Sequence, residues 1–452
     1  MKEAIQYSIV KLADQTVRGN LSRGAPSRFR ALLLCLLAGS VLHARSHGAD
    51  PSPEDLNQAI GLPLFGEGSL WVEGDSIVAS RLEWREESRT SSESGYRLYP
   101  RYEMTVLGVQ PFSLFLHGVG GKVARISMIF ANKGDVSAYA SEQDRRRVAQ
   151  PGSREMGVSS QMMQSYQAAI RHDEKVLREE LTSILGPSKP AKLGKVAGME
   201  ERGERWDWRG HTILLSTPRN EYVALRVVPG TVFDDLDAER RSFMATKALV
   251  PSRVEHRPNG DVVITDMPMV DQGAKGYCVP ATFERVLRYY GLQADMNLLA
   301  MSGQTSAGGG TRLSNINAAA QGLVREAGGR ITSGISGAKV ADVQPYIDKG
   351  QPVLWALYSS GEFNRRLSDR MALRSTVTDW KGWKDGVLAG IRPTANRLPR
   401  NEGAHVCLIT GYNRETREIA ISDSWGPGFS ERWLTEEEAQ AVNQGDSSVI
   451  GW

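Results

Sequence analysis

The sequence predicts an α+β protein in two parts, an N-terminal domain of antiparallel sheet plus helix followed by a second α+β domain. Three observations predict it. Between about 70 and 228, apolar residues alternate or run over short stretches bounded by glycine-rich turns, as strands do. One long stretch after Gly157 switches to three- and four-residue spacing, the period of a helix. The C-terminal part sends a glycine-rich loop into an amphipathic helix and closes on paired strand patterns. The 452 residues, 40% hydrophobic and 24% charged, have an ordinary globular composition with room for two or three domains.

The chain begins with a basic excess. Residues 1–44 hold Lys2, Lys11, Arg18, Arg23, Arg28 and Arg30 against Glu3 and Asp14. Arg28 and Arg30 precede a 12-residue apolar run, Ala31–Leu42, followed by His43 and Ala44. Such a run is short for a transmembrane helix of about 20 residues and suits the core of a signal peptide cleaved after Ala44. A buried helix of the first domain is the alternative. The expectation is export, to the periplasm or the extracellular space, with no stable membrane insertion after signal removal. The formal charge of +3 then drops to near −1, which gives no electrostatic case for nucleic acid as a partner.

Residues 45–62, polar and proline-containing, read as a linker, and 63–250 as the first domain. Strands are expected at Leu70–Val72, Ile77–Val78, Tyr102–Leu107, Ala124–Phe130, His211–Ser216 and Tyr222–Val228. Met162, Tyr166, Ala169, Ile170, Leu177, Leu181 and Ile184 share one face of a long helix that Gly186 and Pro187 stop. Trp206 and Trp208 read as packed strand residues, and Asp144–Arg147 as a solvated cluster. No catalytic pattern is recognisable here, so the domain's role is unassigned.

A charged helix, Asp234–Leu249, leads to the boundary, and 251–452 form the second domain, opening with a strand at Asp261–Thr265. Asn315 and Asn317 are expected to cap a helix over Asn317–Val324 after the Gly308–Gly310 loop. That loop lacks the Lys-Ser/Thr of a phosphate loop. Residues 361–400, with nine Lys/Arg, four Asp/Glu, Trp380 and Trp383, read as a flexible insertion near the cleft.

The chemistry concentrates around Cys278. A glycine-rich loop delivers it to the start of a helix in which Ala281, Val286, Leu287 and Tyr290 can face inward, and Pro280 fits the first turn. Free amides and partial positive charge at a helix N-terminus favour thiolate over thiol. Downstream, His405 lies on an alternating strand, Gly403–Tyr412. A hairpin near Asn413–Glu418 returns a strand, Ile419–Asp423. Antiparallel neighbours can bring Asp423 beside His405 to orient its ring, and His405 can take the Cys278 proton or pair with the thiolate.

Gln272 lies six positions before Cys278, His405 follows after 127 residues, and Asp423-Ser424-Trp425-Gly426 comes next. In order and spacing these residues resemble the papain-like cysteine peptidases, with Asp in place of Asn as the third member. Within that group the chain is most similar to the peptidases that trim bacteriocin leaders after a double glycine. They share the Gln six before the Cys, Ala281 three after it, a Tyr289-Tyr290-Gly291-like helix end and the Asp. The resemblance covers about 265–435. It departs where Tyr277 and Val279-Pro280 replace the acidic residue and glycine that often flank that cysteine.

The resemblance implies a papain-like fold for 251–452 and peptide-bond hydrolysis through an acyl-enzyme, without a cofactor. Cys278 would be the nucleophile and His405 the base. Asp423 would fix the histidine tautomer, Gln272 would hold the oxyanion with the Cys278 N–H, and Trp425 would shield the Asp–His pair. The partner is then a peptide or protein substrate. The same residues also allow an amidase or acyltransferase on cell-wall peptides, or a non-catalytic binding protein. The domain order suggests that the N-terminal domain covers the cleft as papain-type propeptides do. Of three cysteines, Cys35 would leave with the signal; Cys407, two residues from His405 on the same strand face, reads as core filling, with a Cys278–Cys407 disulfide as the alternative. The histidines lack metal-ligand spacing. Substrate preference and oligomeric state are not legible in the sequence.

Overall fold

The protein is described from a computed structural model covering residues 50–100, 104–141, 157–194, 198–233, 246–334 and 338–451. The expected signal peptide, the Asp144–Arg147 cluster and most of the charged helix Asp234–Leu249 lie outside the described residues. The fold is α+β, with two eight-stranded sheets.

The first sheet comprises β1 (Arg85–Arg89), β2 (Glu93–Leu98), β3 (Ser113–Val119), β4 (Lys122–Asn132), β5 (Lys189–Leu193), β6 (Glu201–Trp208), β7 (His211–Ser216) and β8 (Tyr222–Pro229). Their order is β1-β2-β3-β4-β8-β7-β6-β5, and every neighbouring pair is antiparallel. Three helices accompany it: α1 (Pro53–Ile60), α2 (Asp75–Arg81) and α3 (Ser160–Leu185). The helix α3 buries Met162, Tyr166, Ile170, Leu177 and Leu181, the face that the periodicity marks, and ends at Gly186. Leu177 and Leu181 are fully buried, each worth about 1.5–3 kcal/mol of apolar transfer.

The strand expected at Tyr102–Leu107 is absent from its described residues 104–107, which hold only an isolated bridge from Val106 to Val109, and three further expectations fail for local reasons. Residues 53–60 are helix α1, not linker: Ser52 and Asp55 form a capping box, Pro53 sits in the first turn, and Leu56 and Ile60 are buried. Leu70–Val72 is a 3-10 turn, and Ile77–Val78 lies in α2, because apolar runs of two or three residues carry no period that separates strand from helix. Conversely, β1 and β2 are polar strands without an alternating apolar signal. Their buried groups Glu87, Ser88 and Ser94 meet hydrogen-bond partners instead of a core.

The second sheet comprises β9 (Val254–His256), β10 (Asp261–Ile264), β11 (Arg330–Ser333), β12 (Val353–Tyr358), β13 (Ala404–Asn413), β14 (Glu418–Ser422), β15 (Arg432–Thr435) and β16 (Asn443–Gly451). Strands run β11-β16-β12-β13-β10-β9, with β14 joining β13 to β15. The helices are α4 (Cys278–Tyr289), α5 (Met296–Ser302), α6 (Leu313–Glu326), α7 (Val340–Ile347), α8 (Gly361–Arg374) and α9 (Glu436–Val442). A continuous core joins Phe283, Val286 and Leu287 of α4 to Leu354, Leu357, Leu408 and Ile409 of the sheet, which fixes the helix carrying Cys278 against the strand carrying His405.

Two further expectations change. The helix α6 starts at Leu313 with no side-chain cap, and Asn317, one turn in, bonds Ser333 and Ser448 on the adjoining strands. Residues 361–400 are helical turns anchored from below rather than a loose insertion. Arg370 pairs with Glu438 and Arg374 with Asp261, while Trp383 and Leu388 are buried. No helix among the described residues is long and apolar enough to cross a membrane.

Candidate active site

Cys278 is the first residue of α4 and is half-buried. No side chain caps this helix, so its leading amides remain for the sulfur. The His405 ring and the backbone N–H groups of Val279 and Val406 act on the Cys278 sulfur in favour of the thiolate. Burial alone pushes its thiol up, but the hydrogen bond and charge of His405 outweigh that and bring the net pKa below the ordinary thiol value.

His405 lies on β13, opposite Leu357 of β12. Its Nε2 meets Asp423 Oδ1 at 2.9 Å, which leaves Nδ1 for the sulfur. Burial lowers the ring's pKa, yet hydrogen bonds and charge from Asp423 and Cys278 carry it up to about 9. The pairing Leu408↔Ser422 sets β14 beside β13 and delivers Asp423, one residue past the strand end, to the histidine. Trp425 stacks on the His405 ring with centroids 4.5 Å apart and 26° between planes, and Phe429 packs edge-on against Trp425.

Asp423 is fully buried and has a second partner that the sequence does not reveal. Arg432 on β15 donates to Oδ2 through Nε at 2.9 Å and Nη2 at 2.6 Å. Burial would raise the Asp423 pKa; the Arg432 charge and the His405 hydrogen bond hold it below the usual carboxylate range. Asn364 on α8 accepts from Arg432 Nη1 at 3.0 Å and fixes the far side of the guanidinium. Arg285 is a second hidden residue. From α4 it donates to the carbonyls of Pro268 and Ser422, and it also reaches the Ser422 hydroxyl. It thereby ties the helix of Cys278 to the loop before it and to the strand end before Asp423. An arginine inside an otherwise apolar helix face gives no spacing signal; only the fold shows the carbonyls it serves.

Gln272 is buried on the loop before α4. Its backbone N–H donates to Ser424 O at 3.0 Å, next to Asp423. Its Nε2 donates to Lys275 O at 2.9 Å, which leaves one amide hydrogen uncommitted. The structure thus hydrogen-bonds His405 to Asp423, sets the His405 ring where it acts on Cys278, and ties Gln272 to the segment that carries Asp423. Cys407 is buried on β13 across from Trp355 and is a free thiol, as is Cys278. The alternative disulfide is therefore not formed.

The family comparison supports a papain-like cysteine peptidase domain in the C-terminal part of the chain. Residues 264–444 match the model of the Peptidase_C39 like family, so the C-terminal domain is of that cysteine-peptidase type. No curated protein matches the chain.

Proposed function

We propose that the protein is an exported cysteine peptidase that hydrolyses peptide bonds through an acyl-enzyme on Cys278. The observation that carries this reading is the row Cys278–His405–Asp423, which starts at a helix N-terminus and ends on a doubly held carboxylate. In the proposed reaction the Cys278 thiolate attacks the peptide carbonyl. The Cys278 N–H and the spare Gln272 amide hydrogen receive the oxyanion, where one donor is worth about 2.7–4 kcal/mol. The His405 imidazolium protonates the departing amine, then as neutral base activates the water that releases the acyl group. Asp423 holds the ring in the tautomer both steps need. Trp425, stacked on His405, keeps water off the Asp–His pair. Export rests on Arg28, Arg30 and the apolar run Ala31–Leu42.

The test is the rate of Cys278 alkylation by iodoacetamide against pH, in wild type and in His405→Ala. The reading requires a fast rate well below the free-thiol pKa of about 8.5, abolished in the variant. An ordinary thiol profile in the wild type would sink it.

A further inference from the structure

The loop that presents Gln272 and Cys278 is held from outside its own domain. Along residues 266–277, successive groups are fixed by the first sheet and its connections. Asp266 accepts from the Ser91 N–H at 2.6 Å, the Met269 N–H donates to Ser88 Oγ at 2.9 Å, and the Asp271 N–H donates to Glu87 Oε1 at 2.6 Å. Tyr99 Oη donates to the Asp271 carbonyl at 2.6 Å. Nearer the nucleophile, the Tyr277 ring lies against Gly134 so closely that a Cβ there would come within 2.4 Å of it, and its hydroxyl donates to Asn132 at 3.0 Å.

Lys275 is the pivot of this contact. It is only 4% exposed, and its ammonium reaches Asp135 Oδ2 at 3.2 Å while lying 5.2 Å from the Tyr99 ring centroid. Its carbonyl is the acceptor that holds the Gln272 amide. A buried ammonium with one carboxylate partner is a rigid anchor, because leaving either charge alone in the interior costs several kcal/mol. The position of Asp135, on the N-terminal domain, therefore sets the position of the Gln272 side chain.

We infer that the N-terminal domain is a permanent part of the catalytic machinery, in which Asp135 and Lys275 act as positioning residues for the oxyanion donor Gln272. This is the reverse of a removable cover, since its contacts run to the loop that frames the nucleophile and Cys278 stays partly exposed with the domain in place. The inference rests on the peptidase reading of Gln272 given above.

Two reagents separate the two ideas on the full chain. Iodoacetamide forms a carbon–sulfur bond with loss of iodide and creates no oxyanion. With 4-nitrophenyl acetate, sulfur attacks the carbonyl, an oxyanion forms, and collapse leaves acetyl-Cys278 and 4-nitrophenolate. Rates are taken for wild type, Lys275→Met and Asp135→Ala, with Cys278→Ala as background and near-ultraviolet circular dichroism to confirm folding. Both variants should keep the iodoacetamide rate at pH 6 within about twofold and lose about tenfold or more in ester acylation. An unchanged ratio of the two rates, or an equal fall in both, overturns the positioning role. A rise in both rates means the domain covers the cleft and overturns it too. A wild type without fast alkylation at pH 6 removes the peptidase reading itself, and the inference with it.

Discussion

Arg432 takes Oδ2 of Asp423 with two nitrogens and leaves Oδ1 to His405. The carboxylate is thus held on both oxygens with no exposure to water. A buried carboxylate with a neutral imidazole as its sole partner would tend to take up a proton. With Arg432 in place it stays ionised, and the His405 ring can carry positive charge next to the sulfur.

Removing that partner should therefore affect both folding and reactivity. Arg432→Met is expected to cost about 3–5 kcal/mol in urea unfolding, because a buried charge loses its fork. It should also slow Cys278 alkylation at pH 6. Arg432→Lys should fall between, since it restores charge but not the two-point geometry.

The raised pKa of His405 sets an upper limit on peptide cleavage. The ring keeps its proton up to about pH 9, so kcat/KM for a cleaved peptide should fall as pH rises through that value, when no proton remains for the leaving amine. Alkylation needs no such proton and should continue undiminished. On the acid side, the lowered pKa of Cys278 should keep alkylation fast below the range of a free thiol. Parallel profiles of the two reactions from pH 5 to 10 check both limbs.

Cys407 should be chemically silent. It is buried, and burial pushes its thiol pKa well up. Mass spectrometry after limited alkylation of the folded protein should find Cys278 labelled and Cys407 unlabelled. Cys407→Ala should leave the alkylation rate within about twofold and cost about 1 kcal/mol of stability for the lost packing.

The two sheets should not unfold separately. Arg226 on β8 binds Glu201 at 2.6 Å and, across to the second domain, Asp295 at 3.2 Å; Arg288 of α4 reaches Glu93 of β2 at 2.7 Å. A single urea transition is expected, with Arg226→Met shifting its midpoint down by about 3–5 kcal/mol of stability. Two resolved transitions would contradict it.

Much of the second domain is legible in the sequence because its signals are local. The strand patterns at Gly403–Tyr412 and Ile419–Asp423 locate β13 and β14, and glycines followed by an amphipathic stretch locate Cys278 at the head of α4. Short polar strands such as β1 and β2 escape the same reading, since a strand whose buried face consists of hydrogen-bonding groups has no apolar period.

By itself, the sequence determined the α+β class, the long helix α3, and the candidate residues Gln272, Cys278, His405 and Asp423 with their order. Those features follow from periodicity and from residue types at fixed spacing. Tertiary structure alone decided that Arg432 and Arg285 stand behind the site, that Cys407 is free, and that Asp135 reaches Lys275. The contacts of Arg432, Arg285 and Lys275 each depend on a buried polar group finding its partner, and such partners lie 9 to 140 residues away along the chain. No local pattern records a contact that closes only when the two sheets are in place.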